Sequence, residues 1–382
     1  MLLLAAFLFL CHTAAAQIRT GADNLMADSE LLDSLQGKRI AIVGNQTSVV
    51  DSTHLIDTLI SCGLQVKAIF CPEHGFRGNV QAGSLIANST DPKTGIPIIS
   101  LYGKNKKPTV SQLRDIDLVI FDLQDVGCRF YTYISTLHYV MEACADNHIR
   151  CLVLDRPNPN GHYVDGPVME KGYTSFVGLH PVPIVYGMTI GEYATMINGE
   201  YWLHDSLQCN LQVVRLTGYT HQSHYSLPIA PSPNLPNDQA VALYPSLCLF
   251  EGCNVSVGRG TDTPFQIIGS PYYRGESDFT FKPHTIHGAS ENPLFKGQLC
   301  RGIDLTETEV PDCFDLTYLQ EMYRNSNPNS FFLQSNFFEK LAGNGQLRTQ
   351  IKSNTPEEEI RQSWEPALSR FKEIRLQYLL YE

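Results

Sequence analysis

The chain has 382 residues, 28 Lys+Arg against 39 Asp+Glu for a net charge of -11, 43% apolar residues and 11 cysteines. That length suggests two domains, and that apolar share excludes disorder over most of the chain. The acidity argues against a nucleic-acid binder, whose phosphate partner demands Lys and Arg, and scattered cysteines with no C-x-x-C are not a disulfide scaffold.

Residues 1–16 carry no charge, and Leu2 to Leu10 is an apolar run of signal-peptide length, too short for the roughly 20 residues a membrane span needs. Ala14-Ala15-Ala16 places small residues before Gln17, so cleavage is expected there, with a periplasmic or secreted mature chain. A lipid anchor on Cys11 is disfavoured by the bulky Leu10 before it. No later apolar stretch approaches membrane length. Cleavage would remove Cys11, and the apolar or motif settings of Cys71, Cys128, Cys151 and Cys248 mark most remaining thiols as free and buried.

Strands and helices then alternate. Arg39–Gly44, Val66–Cys71, Ile98–Tyr102, Leu118–Leu123, Cys151–Asp155 and Leu211–Arg215 read as strands, with helices expected over Thr53–Cys62, Ser111–Arg114, Thr136–His148 and Thr189–Trp202. Thr189 and Glu192 have capping-box spacing. The alternation predicts an α/β fold: a Rossmann-like, doubly wound parallel sheet over residues 24–236. A Pro-rich stretch from Pro228 to Pro245 reads as a linker or rigid loop. Residues 237–382 then mix short strands and helices into a smaller α+β domain, ending in one long helical pattern from Pro356 to Tyr381.

Four of the expected strands end in polar clusters: Asn45-Gln46-Thr47, then Glu73-His74-Gly75-Phe76-Arg77, then Asp122 to Arg129, then Asp155-Arg156-Pro157-Asn158. In an open parallel sheet these ends share one edge, where ligands bind. Tyr131 and Tyr133 follow as sugar platforms or core aromatics. The second domain adds Glu251, Asn254 and Arg259, the last between Gly258 and Gly260. No phosphate loop or dinucleotide fingerprint occurs, nor any motif of zinc peptidases, α/β-hydrolases or penicillin-binding enzymes. What remains is a carboxylate-centred hydrolytic site with no cofactor or metal. Glycoside hydrolysis needs an acid of raised pKa and a second group. Glu73 fits the acid, with His74 beside it, and Asp122 or Asp125 the second carboxylate; with an N-acetyl sugar the acetamido group is a further choice. A muropeptide-binding protein without turnover and a metal-dependent deacetylase using His74, Asp122 and Asp125 are the competing classes.

These motifs, with Phe176-Val-Gly-Leu-His-Pro181, Pro231-Ser-Pro-Asn-Leu-Pro236 and the Trp364 to Tyr381 ending, resemble the exo-β-N-acetylmuramidase family of peptidoglycan glycosidases across nearly the whole mature chain. The resemblance implies a Rossmann-like domain plus a smaller one, with the site in the cleft between them. It also implies release of N-acetylmuramic acid (MurNAc) from the non-reducing end of wall fragments such as MurNAc–GlcNAc, and a catalytic glutamate at Glu73. Peptidoglycan-derived sugars are the expected partners. Asn45, Gln46, Arg77, Arg129, Tyr131, Arg156, Asn158, Glu251, Asn254 and Arg259 are the expected substrate-binding residues. Cys128 and Cys253 stand where the family usually has Ala and Thr. Because MurNAc carries a lactyl carboxylate that GlcNAc lacks, one of Arg77, Arg129, Arg156 and Arg259 is expected to read it.

Overall fold

The computed structural model describes residues 17–72, 75–77 and 89–382. The expected signal segment of residues 1–16, Glu73, His74 and Gly78 lie outside the described residues.

In the first half, β1 (Arg39–Gly44) is followed by a two-residue ladder of β2 (Val49–Val50) and β3 (Thr53–His54), then β4 (Gln65–Cys71), β5 (Ser89–Thr90) and β6 (Pro97–Ser100). Next come β7 (Leu118–Asp122), β8 (Arg150–Leu154) and β9 (Leu211–Val214). Helices α1 (Gly21–Ala27), α2 (Ser29–Ser34), α3 (Leu55–Ser61), α4 (Val110–Leu113), α5 (Tyr133–Asp146) and α6 (Ile190–Gly199) intervene. The central sheet has seven strands in the order β5-β6-β4-β1-β7-β8-β9, all parallel except the edge strand β5. Its six parallel strands therefore run 3-2-1-4-5-6, the dinucleotide-fold order, and the order reverses between β1 and β7.

Alternation along the strands explains the layers. Ile40 and Ile42 of β1 face a core with Leu25, Ile56, Leu59, Ile120 and Leu152. Ala41 and Val43 point to the other face, into a core with Phe121, Ile134, Leu137, Val153 and Ile197. Strands apolar on both faces are what a doubly covered parallel sheet requires. Thr189 caps α6 with the expected reciprocal Glu192 pairing.

The second half is an antiparallel sheet of β10 (Ile267–Ser270), β12 (Cys300–Asp304) and β11 (Thr280–Phe281), with helices α7 (Asp238–Leu247), α8 (Thr317–Arg324), α9 (Phe337–Ala342), α10 (Gln346–Lys352) and α11 (Glu357–Arg375). Its core is continuous with one face of the large sheet, since Phe250, Phe265, Phe314, Leu341 and Trp364 belong to the same cluster as Val43 and Phe121.

Two differences from the sequence expectation have physical causes. Pro245 lies inside α7 rather than in a linker. Proline cannot donate to the carbonyl four residues back, and Asn160 Nδ2 takes that place on Val241 O at 3.2 Å. The last helix stops at Arg375 instead of running to Tyr381. Beyond it the chain bonds to the first half: Leu380 N–H donates to Glu192 Oε1 (2.7 Å), Tyr381 O–H to Asp155 Oδ2 (2.6 Å) and His221 N–H to Glu382 O (2.8 Å). Tertiary partners replace the helical ones there. The ten described cysteines are all free, and all but Cys62 and Cys313 are buried.

Candidate functional site

The edge where β1 and β7 end is stitched by side chains. Gly44 pairs in register with Asp122. Asn45 Oδ1 accepts from Thr47 N–H (2.9 Å) and Oγ1–H (2.6 Å), while Thr47 Oγ1 accepts from Gln124 N–H (3.2 Å). Asn45 Nδ2 donates to Tyr133 Oη at 2.7 Å, tying this turn to the start of α5. Gln46 Nε2 reaches the carbonyl of Ala230 at 3.2 Å, and Tyr131 O–H that of Pro231 at 2.9 Å, so the Pro-rich segment folds over the same edge.

The loop leaving β4 is fixed on its described sides. β4 lies between β6 and β1. Phe76 is buried against the His54 ring (centroids 4.5 Å apart), and His54 Nε2 lies 2.9 Å from Asn45 O. Burial and the nearby Arg77 hold His54 below the usual histidine range. Arg77 is gripped by two carboxylates, Asp91 (2.7 and 2.8 Å) and Asp57 (3.0 and 3.1 Å). β4, Phe76 and Arg77 are thus each held by partners elsewhere in the first half.

A cleft of about 270 Å³ opens here. From the first half it is lined by Tyr102, Tyr131 and Tyr133; across it stand Tyr244, Glu251 and Arg259. A larger hollow of about 460 Å³ beside the first turn of α7 holds none of the sequence-nominated residues, so chemistry and not size selects the site.

The nominated residues divide sharply. Tyr131, Glu251 and Arg259 line the cleft; Asn45 bonds to Tyr133, which lines it too, and Gln46 to the Ala230 carbonyl. The others do not line the cleft. Asp122 is fully buried in a two-pronged pair with Arg156 (Nε to Oδ1 2.6 Å, Nη2 to Oδ2 2.9 Å), and Arg156 also reaches Val49 O. Asp125 is buried, accepting from Tyr186 O–H and from Gly127 N–H (2.7 Å), and burial pushes its carboxyl up to about 7. Arg129 is buried with its Nη atoms on four carbonyls, Pro167 and Val182 in the first half and Leu341 and Ala342 in the second, at 2.7–2.8 Å. It clamps the halves together, and burial lowers it to about 10. Asn158 donates to Met188 O (2.8 Å) and packs under Gly127, where a Cβ would lie 2.2 Å from Asn158 Oδ1 at φ +71°. Asn254 bonds Ser330 O on the second half. Asp122 and Asp125, expected as catalytic carboxylates, are therefore not brought into the cleft.

Sequence reasoning did not nominate Tyr102 or Tyr244. Tyr102 follows the end of β6 on the same sheet edge, a signal available from the strand pattern. Tyr244 was concealed by Pro245, which made a helix read as a linker. Among the described residues no group of three His, Cys, Asp or Glu side chains is placed to hold a metal, and no helix is long and apolar enough to cross a membrane.

A doubly wound parallel sheet joined to a second lobe, with a cleft lined by tyrosines and one carboxylate–guanidinium pair, defines a two-lobed α/β protein. Comparison with known proteins makes this specific. Residues 40–239 match the domain described as exo-beta-N-acetylmuramidase NamZ, N-terminal, and residues 242–381 its C-terminal counterpart. The chain belongs to the NamZ exo-β-N-acetylmuramidase family and is a glycosidase. It is 40% identical to the peptidoglycan beta-N-acetylmuramidase NamZ of Bacillus subtilis (strain 168), covering 96% of this chain and 92% of that one. Two crystal structures of DUF1343 family proteins from Bacteroides fragilis NCTC 9343 superpose with TM-scores of 0.88 (44% identity) and 0.82 (29% identity), each covering 96% of this chain and 99% of the other.

Proposed function

We propose that the protein is an exported exo-acting glycosidase that releases MurNAc from the non-reducing end of peptidoglycan fragments, with Glu73 as the acid that protonates the glycosidic oxygen. The observation that carries this reading is the cleft itself. From the first half it is lined by tyrosines that follow β6 and β7, the second lobe closes it with Tyr244, Glu251 and Arg259, and at about 270 Å³ it falls just under the ~300–1,000 Å³ typical of drug-sized ligands. Such a pocket suits a terminal sugar better than a polymer groove does. Tyr102, half-buried in the lining, supplies an aromatic face for a pyranose.

Glu73 follows β4 in sequence, and β4 lies between the strands that Tyr102 and Asn45 follow. Since Asp122 and Asp125 do not line the cleft, and Glu251, which does, is paired with Arg259, the acetamido group of the sugar is the second group this reading favours. Anomer-resolved NMR of the first product separates direct water attack from the two-step routes: inverted product marks the former, retained product the latter.

Incubation with MurNAc–GlcNAc and mass analysis of the products is the direct test. Free MurNAc is expected from the wild type and at least a hundredfold less from Glu73→Gln. A wild type that leaves the disaccharide intact refutes the function, and a fully active Glu73→Gln protein refutes the acid. Export is tested separately: N-terminal sequencing of protein from the periplasm or medium is expected to begin at Gln17.

A further inference from the structure

The cleft needs a way to tell MurNAc from GlcNAc, and the four candidate arginines are not equivalent. Arg77 is held by two carboxylates, Arg129 by four carbonyls, and Arg156 by Asp122 and a carbonyl. Arg259 differs. Its Nε donates to Glu251 Oε1 at 2.6 Å and its guanidinium lies 5.0 Å from the Phe265 ring centre, while neither Nη atom has a hydrogen-bond partner among the described residues. An arginine carries five N–H donors, four of them on the two Nη atoms. The side chain is 35% exposed and Glu251 27%, and both line the cleft.

The backbone fixes where this guanidinium points. Gly258 and Gly260 have φ of +77° and +79°. A Cβ on the first would lie 2.6 Å from Ile267 and 2.8 Å from Thr263 O, and one on the second 2.4 Å from His284 O. Only glycine fits on either side of Arg259, so the turn is shaped to present that one side chain. Glu251 and Phe265 then hold the guanidinium in one plane, in the cleft that it lines together with the tyrosines.

We propose that Arg259, oriented by Glu251, binds the lactyl carboxylate of MurNAc through its Nη edge and so sets the preference for MurNAc over GlcNAc. This rests on the exo-muramidase reading above. The arrangement has a precedent within the molecule, since the Arg77 guanidinium bridges Asp57 and Asp91 in the same manner. Arg259 binds substrate directly, and Glu251 is its positioning residue.

The test compares wild type, Arg259→Met, Arg259→Lys and Glu251→Gln on the aryl β-glycosides of MurNAc and GlcNAc, with titration of free MurNAc and free GlcNAc as a readout independent of turnover. Loss of a charge-assisted contact is expected to lower kcat/KM for the MurNAc glycoside by about 10- to 100-fold more than for the GlcNAc glycoside in Arg259→Met. Arg259→Lys, which keeps the charge without the planar edge, should fall between; it also serves if the Met variant does not fold. Glu251→Gln should raise KM for the MurNAc glycoside more than it lowers kcat. If the variants cleave both glycosides in the wild-type ratio, the assignment is wrong while the glycosidase reading stands. If wild type cleaves neither glycoside yet binds MurNAc in an Arg259-dependent way, the glycosidase reading is wrong and the carboxylate site stands. If Arg259→Met binds free MurNAc as wild type does, the site is refuted.

Discussion

The Asp122–Arg156 pair offers the clearest separation of scaffold from chemistry. Both side chains are almost wholly out of water, at 0% and 4% exposure, joined by two short contacts at 2.6 and 2.9 Å. Each such charge-assisted bond is worth ~1.5–3 kcal/mol, and removing one partner strands the other. Arg156→Met leaves a buried carboxylate uncompensated, so a loss of about 3–5 kcal/mol is expected. Asp122→Asn in the same background removes that stranded charge. The double variant should therefore recover part of the loss, giving a coupling of about 2 kcal/mol or more in a double-mutant cycle. Urea unfolding of the four proteins supplies the cycle, and hydrolysis of MurNAc–GlcNAc supplies the second readout. The double variant should lose far less activity than Glu73→Gln, because the pair stands behind the cleft. Additive single effects would refute the energetic argument. A double variant that folds like wild type but is as inactive as Glu73→Gln would place Asp122 in the chemistry.

Two further consequences follow from the buried carboxyls behind the cleft. Asp125 titrates near 7 in the fold, against about 4 unfolded, because burial disfavours its charge. Between those values the folded chain holds a proton that the unfolded chain has released, so this group's stabilisation is complete below pH 4 and is lost as pH rises through 7. From pH 5 to pH 8 that amounts to about 2–3 kcal/mol, and Asp125→Asn should show that much less decline than wild type in urea titrations at the two pH values; equal declines would contradict it. Tyr381→Phe deletes the donor to Asp155 (2.6 Å) and the acceptor of Leu216 N–H (2.8 Å), for an expected cost of about 1–3 kcal/mol. An unchanged unfolding midpoint would show that the C-terminal segment is not a working latch.

The large sheet was legible because its strands are apolar on both faces and separated by helical spacing, patterns local to a few residues. Its strand order was not, and neither was the extent of the last helix, because the partners of Leu380 and Tyr381 are Glu192 and Asp155, far away in sequence. Pro245 misled for a related reason: a helix accepts an interior proline when a side chain such as Asn160 takes over the exposed carbonyl. The edge on which the site sits was legible, whereas the roles of the residues along it were not.

That last distinction has a physical basis. A polar residue at the end of a parallel strand meets two demands: the backbone groups where the sheet stops need partners, and the ligand needs contacts. The residues nearest the strand ends answer mostly the first. Asn45 and Asp125 hold the backbone N–H groups of Thr47 and Gly127, Asp155 those of Arg156 and Gly191, and Arg156 neutralises Asp122. The cleft is lined instead from other segments: Tyr102 after β6, Tyr131 and Tyr133 well beyond β7, Glu251 and Arg259 on the other lobe. A polar residue at a strand end is therefore first of all a builder of the edge. It is the Nη edge of Arg259, without a partner among the described residues once the other three candidate arginines are matched to theirs, that points to how an anionic sugar would be told from a neutral one.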